Sequence, residues 1–132
     1  MLERDYAYTR QVEGMDVAAA AGKVRELLAE EGFGVLTEID VQKAMKEKLD
    51  IDRPPYLILG ACNPQLAHQA LEKEPPIGVL LPCNVTVFQD DSGRTVVQAI
   101  NPITMFGVIG RPELQPIAEE VAARLQRVLE RL

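Results

Sequence analysis

A chain of 132 residues, 47% hydrophobic and 26% charged, has the size and balance of one globular domain over residues 1–132, able to bury roughly two thirds of its unfolded surface. Fourteen Lys and Arg against twenty Asp and Glu give a net charge of −6, so the overall field repels nucleic acid and anionic lipid and neither is expected as a partner. No apolar stretch approaches the roughly 18 residues that span a bilayer, and Met1-Leu2-Glu3-Arg4-Asp5 lacks the apolar core of a signal peptide. Two cysteines suit a reducing compartment, and the expected location is the cytoplasm.

Tyr6, Tyr8, Arg10 and Val12 alternate with Ala7, Thr9 and Gln11, which predicts a first strand ending at Gly14. Asp16 then offers a capping carboxylate, and Val17, Ala20, Ala21, Val24, Leu27 and Leu28 hold helical spacing up to Gly32. Phe33, Val35, Thr37 and Ile39 alternate as a second strand, and Asp40 is placed to cap a short helix carrying Val41, Ala44, Met45 and Leu49. The apolar run Tyr56–Cys62 is too short for a helix and reads as a buried third strand. Asn63 followed by Pro64 opens a helix with Leu66, Ala67, Ala70 and Leu71 on one face, stopped by Pro75-Pro76.

A fourth strand is expected over Ile77–Leu81 and Val85–Phe88, interrupted at Pro82 because proline cannot donate to a ladder. The turn residues Asp90-Asp91-Ser92-Gly93 return the chain as an antiparallel fifth strand, Arg94–Ile100. Residues 101–111 read as a loop, and Leu114 to Leu132 as a terminal amphipathic helix capped by Glu113.

The segments Gly32-Phe33 to Asp40-Val41-Gln42, Leu59-Gly60-Ala61-Cys62-Asn63-Pro64, Glu74-Pro75 and Leu80-Leu81-Pro82-Cys83-Asn84-Val85 resemble a bacterial and archaeal family called domain of unknown function 302, over nearly the whole chain. The resemblance implies an α+β fold similar to the TATA-binding-protein-like class. Its order is strand, helix, four strands, helix, with a mainly antiparallel five-stranded sheet, packed helices and short helical inserts. It also implies a homodimer. It implies no activity, and a likeness of fold transfers no DNA binding to a chain of this charge.

Two echoed segments, each an apolar run ending in Cys-Asn, mark the candidate ligand site: Cys62 and Asn63, then Cys83 and Asn84. Parallel strands would bring both thiols to one sheet edge, whereas antiparallel ones would separate the strand ends. Cys62 directly precedes a helix N-terminus, whose partial positive charge favours a thiolate, so the alternative to a binding module is a thiol-dependent redox or transfer enzyme. The other reading of both cysteines is plain core packing. Asn63, Asn84 and Asn101 either line a pocket mouth or make turns and caps. Glu38 and Asp40 fall on one strand face but read weakly as a catalytic pair.

His68 lies off the apolar stripe of its helix and should face solvent, and Cys-x5-His-x14-Cys fits no zinc pattern, so no metal is assigned and any cofactor stays unassigned. The 101–111 loop carries Ile103, Met105, Phe106, Val108 and Ile109. These need covering, either by the terminal helix or by a partner copy. Met105, Phe106 and Ile109 are the candidate dimer contacts, and a purely structural interaction module built on this loop is the third reading.

Overall fold

The protein is described here by a computed structural model covering residues 2–132. Five short segments, Ala7–Val12 (β1), Gly34–Asp40 (β2), Tyr56–Cys62 (β3), Cys83–Gln89 (β4) and Thr95–Ile100 (β5), form one sheet in the order β1-β5-β4-β3-β2, every neighbouring pair antiparallel. Helices Val17–Glu30 (α1) and Gln115–Glu130 (α5) are the long ones. Val41–Leu49 (α2), Pro64–Lys73 (α3) and Pro102–Gly107 (α4) are the inserts. The order strand, helix, four strands, helix with inserts is the one expected.

The helix starts follow from their capping residues. Asp16, Asp40 and Asn63 each accept a backbone N–H three residues on, from Ala19, Lys43 and Leu66. The β4–β5 turn is closed by Asp90, whose carboxylate accepts from Ser92 N and Arg94 N, and Gly93 takes the left-handed conformation there (φ 80°).

Strand alternation sorts the side chains into two faces. Leu59, Ala61, Val85, Val87, Val97 and Ala99 point towards α1 and α5 and pack with Leu27, Leu28, Leu125 and Val128 in the core. Their opposites, including Thr9, Gln11, Ile58, Thr86, Asn84 and Gln98, face away from these helices and are half-buried or exposed. Val96, Phe88 and Gly60 are the buried positions on that side. There Phe88 stacks on Tyr56, and the N-terminal segment reaches in far enough for the Leu2 carbonyl to accept from Gln98 Nε2.

Four expectations are corrected. Residues Pro75–Leu80 form a 3-10 helix, not the first half of a fourth strand, and the chain joins the sheet only at Cys83. Two prolines at the start suit a helical turn, and Pro82 keeps the ladder from beginning earlier. The alternation of the second strand is split, because the register shifts between Val35 and Thr37. Leu36 occupies this bulge and Ile39 is left half exposed, while Val35 stays against the core. Residues 102–107 are helical, since Asn101 caps them and Pro102 suits a first turn. Glu113 does not cap the terminal helix. It pairs with Arg111, and α5 starts at Gln115 without a side-chain cap.

Candidate functional site

The antiparallel ladder brings Gly34, Cys62, Cys83 and Ile100 to one end of the sheet. Ala61 pairs directly with Cys83, so the Cα atoms of Cys62 and Cys83 are within about 10 Å, one residue step beyond a cross-strand pair. Cys62 and Cys83 therefore come near one another at one edge of the sheet although their strands run antiparallel. Cys83 begins its strand where Cys62 ends its own, whereas the sequence echo had placed both at strand ends.

Three further elements close this corner. Gly32 ends α1 in the left-handed region (φ 84°), and a side chain there would meet Asn63 Nδ2 at 2.9 Å and Arg124 at 3.2 Å. Its lack of a Cβ lets the start of α3 and the middle of α5 converge on the end of α1. Arg124 donates to the Glu31 carbonyl, satisfying a helix-end acceptor. The space left between them is a cavity of about 20 Å³, bordered by Phe33, Cys62, Asn63, Leu66, Cys83 and Phe106, with Ile117 and Val121 of α5 behind. That is room for about one water molecule, in walls that are almost wholly apolar.

Electrostatically the corner favours neutral thiols. Burial pushes the Cys83 thiol up to about 11, with the neighbouring Cys62 adding to the effect, and burial also raises Cys62. Desolvation outweighs the helix N-terminus beside Cys62, because a thiolate among apolar walls loses its water without gaining a cation. Both cysteines are free.

The remaining candidates separate. Asn63 is buried and borders the cavity while capping α3. Asn84 is exposed on the face turned away from the helices. Asn101 is engaged in the fold: its Oδ1 accepts from Tyr8 Oη and Ile103 N, and its Nδ2 donates to the Asp5 carbonyl. The three asparagines do not line one pocket mouth. Glu38 pairs with Arg25 and Asp40 caps α2, so neither carboxylate is free for acid–base work. His68 is exposed.

Phe106 lies in the core against the terminal helix, with Met105 and Ile109 partly buried beside it. The apolar surplus of this segment is thus covered by its own chain, because folding residues 102–107 into a helix turns Phe106 inward. Val108, 80% exposed, and Ile103 are the outward residues.

A wider groove of about 590 Å³ lies at the opposite end of the sheet. It runs past Asp16, Asp40, Tyr56, Gln89 and Thr95. The recurrence of capping and turn residues at that end was its signal, and those groups hold the fold: Asp16 and Asp40 are caps, and Thr95 Oγ1 donates to the Met15 carbonyl. Among the described residues no group of three or more His, Cys, Asp or Glu side chains is placed to hold a metal ion, and no helix is long and apolar enough to cross a membrane.

A five-stranded antiparallel sheet with its long helices on one face and a thiol-lined apolar corner defines a small α+β domain. The family model for "Domain of unknown function DUF302" matches residues 8–132, and the chain belongs to that family. Among solved structures it is similar to a protein from Bacillus stearothermophilus described as an uncharacterized conserved protein DUF302. The two share 32% identity with a TM-score of 0.89 over 97% of this chain and 98% of that one. No curated protein matches the chain.

Proposed function

We infer that the protein is a non-catalytic, homodimeric binding module of the cytoplasm, with the Cys62–Cys83 corner as the seat of a small apolar group. The observation that carries this reading is one apolar cavity bordered by two adjacent thiols that burial keeps protonated. Protonated thiols are poor nucleophiles and poor metal ligands, which weighs against the thiol-dependent enzyme. Two neighbouring cysteines that remain free fit a reducing compartment. The groove at the other end is the weaker site, since its polar groups are used by caps and turns.

The test has two readouts. Alkylation followed against pH is expected to find Cys62 titrating above the ordinary thiol range and Cys83 silent at neutral pH. A rapidly alkylated thiolate at pH 7 reverses the assignment in favour of the enzyme. Xenon, a small apolar probe, should perturb the amide signals of Leu66 and Phe106 saturably. Uniform, unsaturable shifts remove the pocket.

A further inference from the structure

Residues 101–111 pass the thiol corner as a strap that is fastened at both ends and not in the middle. At the near end Asn101 bonds to Tyr8, Asp5 and Ile103, and Thr104 Oγ1 donates to the Asp5 carbonyl. At the far end Arg111 donates to the Lys73 carbonyl and pairs with Glu74 and Glu113. Between these anchors the N–H groups of Val108, Ile109 and Gly110 donate to the carbonyls of Met105, Phe106 and Gly107, within the strap itself. Gly107 ends α4 with open space where a Cβ would stand, and Gly110 takes the left-handed conformation (φ 72°), so two residues of free backbone follow Phe106.

Phe106 stands between two spaces. It borders the cavity of about 20 Å³ beside Cys62 and Cys83, and it also borders a groove of about 370 Å³ that runs along Gly107, Gly110, Pro112 and Leu114. Among the described residues Phe106 alone borders both. Leu114, Ile117 and Val121 follow one another at helical spacing, the first in the groove and the other two behind the cavity, so groove and cavity share one wall.

We propose that this strap is the lid of the corner: the last turn of α4 unwinds about Gly107 and Gly110, carries Phe106 outward, and joins cavity and groove into a site for an uncharged aromatic ring. The proposal rests on the reading of the corner as an apolar seat and adds its entrance and the size of its occupant. Size argues for a ring. The closed cavity holds about one water, whereas a dry cavity that takes benzene measures about 150 Å³, and withdrawing a phenyl group frees space of that shape. Chemistry argues for an uncharged one, because Phe33, Leu66, Ile117, Val121 and two protonated thiols offer nothing to compensate a buried charge. At the mouth of the groove Arg111 is already paired with two carboxylates and does not stand ready for an anionic group. Opening exposes a phenyl ring to water, which holds the open form to on the order of 1% and lowers the apparent affinity about 100-fold against a site left open.

Titration of the full chain with benzene, followed by its amide signals, tests this. In the wild-type protein benzene should saturate, should move Leu66 of the corner together with Gly107 and Gly110 of the strap, and should compete with xenon. Phe106→Leu keeps an apolar side chain in the core and should bind benzene about 10-fold more tightly, because a smaller group is easier to displace. Gly107→Ala has room for its methyl group and favours the closed helical turn, so it should weaken benzene about 3- to 5-fold and leave xenon unchanged. The second variant keeps the test sound even if Phe106→Leu folds poorly. Xenon that binds the corner while benzene fails to saturate overturns the lid and leaves the apolar seat standing. Benzene that saturates with Gly107 and Gly110 unmoved, or with an affinity indifferent to Gly107→Ala, also overturns the lid. If neither probe saturates, lid and seat are both overturned.

Discussion

The two faces of the sheet are made from strands of the same length and alternation, yet they answer to different constraints. On the helix side the central positions are matched to helix residues, so volume and polarity are fixed there: Val85, Val87 and Val97 are sealed against α1 and α5, and at the rims Arg10 donates to the Leu132 carbonyl and Glu38 pairs with Arg25. On the outward side the matching is partial: Phe88 stacks on Tyr56 and the N-terminal segment bonds to Gln98, while Thr9, Gln11, Asn84 and Ile39 are left half-buried or exposed. Burial explains the first composition, and strand positions without charged residues mark the second.

Phe106→Asp breaks this contrast most severely. The side chain is in the core, so the substitution removes a buried aromatic, which alone costs about 3–5 kcal/mol, and places an unpaired carboxylate there. Against a typical total of about 5–15 kcal/mol, the expected outcome is a largely unfolded protein by circular dichroism and urea titration, not a folded monomer.

The next effect is a loss of stability in alkali. The Cys83 thiol is held near 11 in the folded chain and ionises at its ordinary value of about 9 when unfolded. A raised folded value means its contribution is full below pH 9 and is lost as pH rises towards 11, an effect of about 2–3 kcal/mol. Urea titrations at pH 8 and pH 10.5 should show this fall in the wild-type protein and a smaller one in Cys83→Ala, measured against that variant's own baseline.

Asn63→Ala removes the cap of α3 and one wall of the corner, and a loss of about 1–2 kcal/mol in thermal or urea unfolding is expected, with Asp16→Ala as a cap-only comparison near 1 kcal/mol. His68→Ala, on the exposed side of α3, should change stability by less than about 0.5 kcal/mol, and a larger loss would show that the imidazole supports the corner.

The elements whose local signals agree with their tertiary setting were legible in the residues themselves. Asp16, Asp40 and Asn63 announce three helices by capping chemistry, and Tyr56–Cys62 and the Asp90–Gly93 turn announce a strand and a hairpin, because these signals act over a few residues. The same locality explains the misreadings. An apolar run beside prolines, Ile77–Leu81, has no periodicity that separates a strand from a 3-10 turn, and only packing of Ile77 in the core settles it. The bulge at Leu36 and the helix at 102–107 are likewise products of what lies next to them.

At the candidate site, sequence alone determined that two Cys-Asn segments exist and that one precedes a helix. The fold decided the rest: an antiparallel ladder made neighbours of Cys62 and Cys83, apolar walls kept their protons on, and a face of the sheet was left without a helix. Spacing along the chain carries capping and turn chemistry, whereas desolvation and adjacency depend on groups far apart in sequence, which meet only when the sheet and helices are assembled.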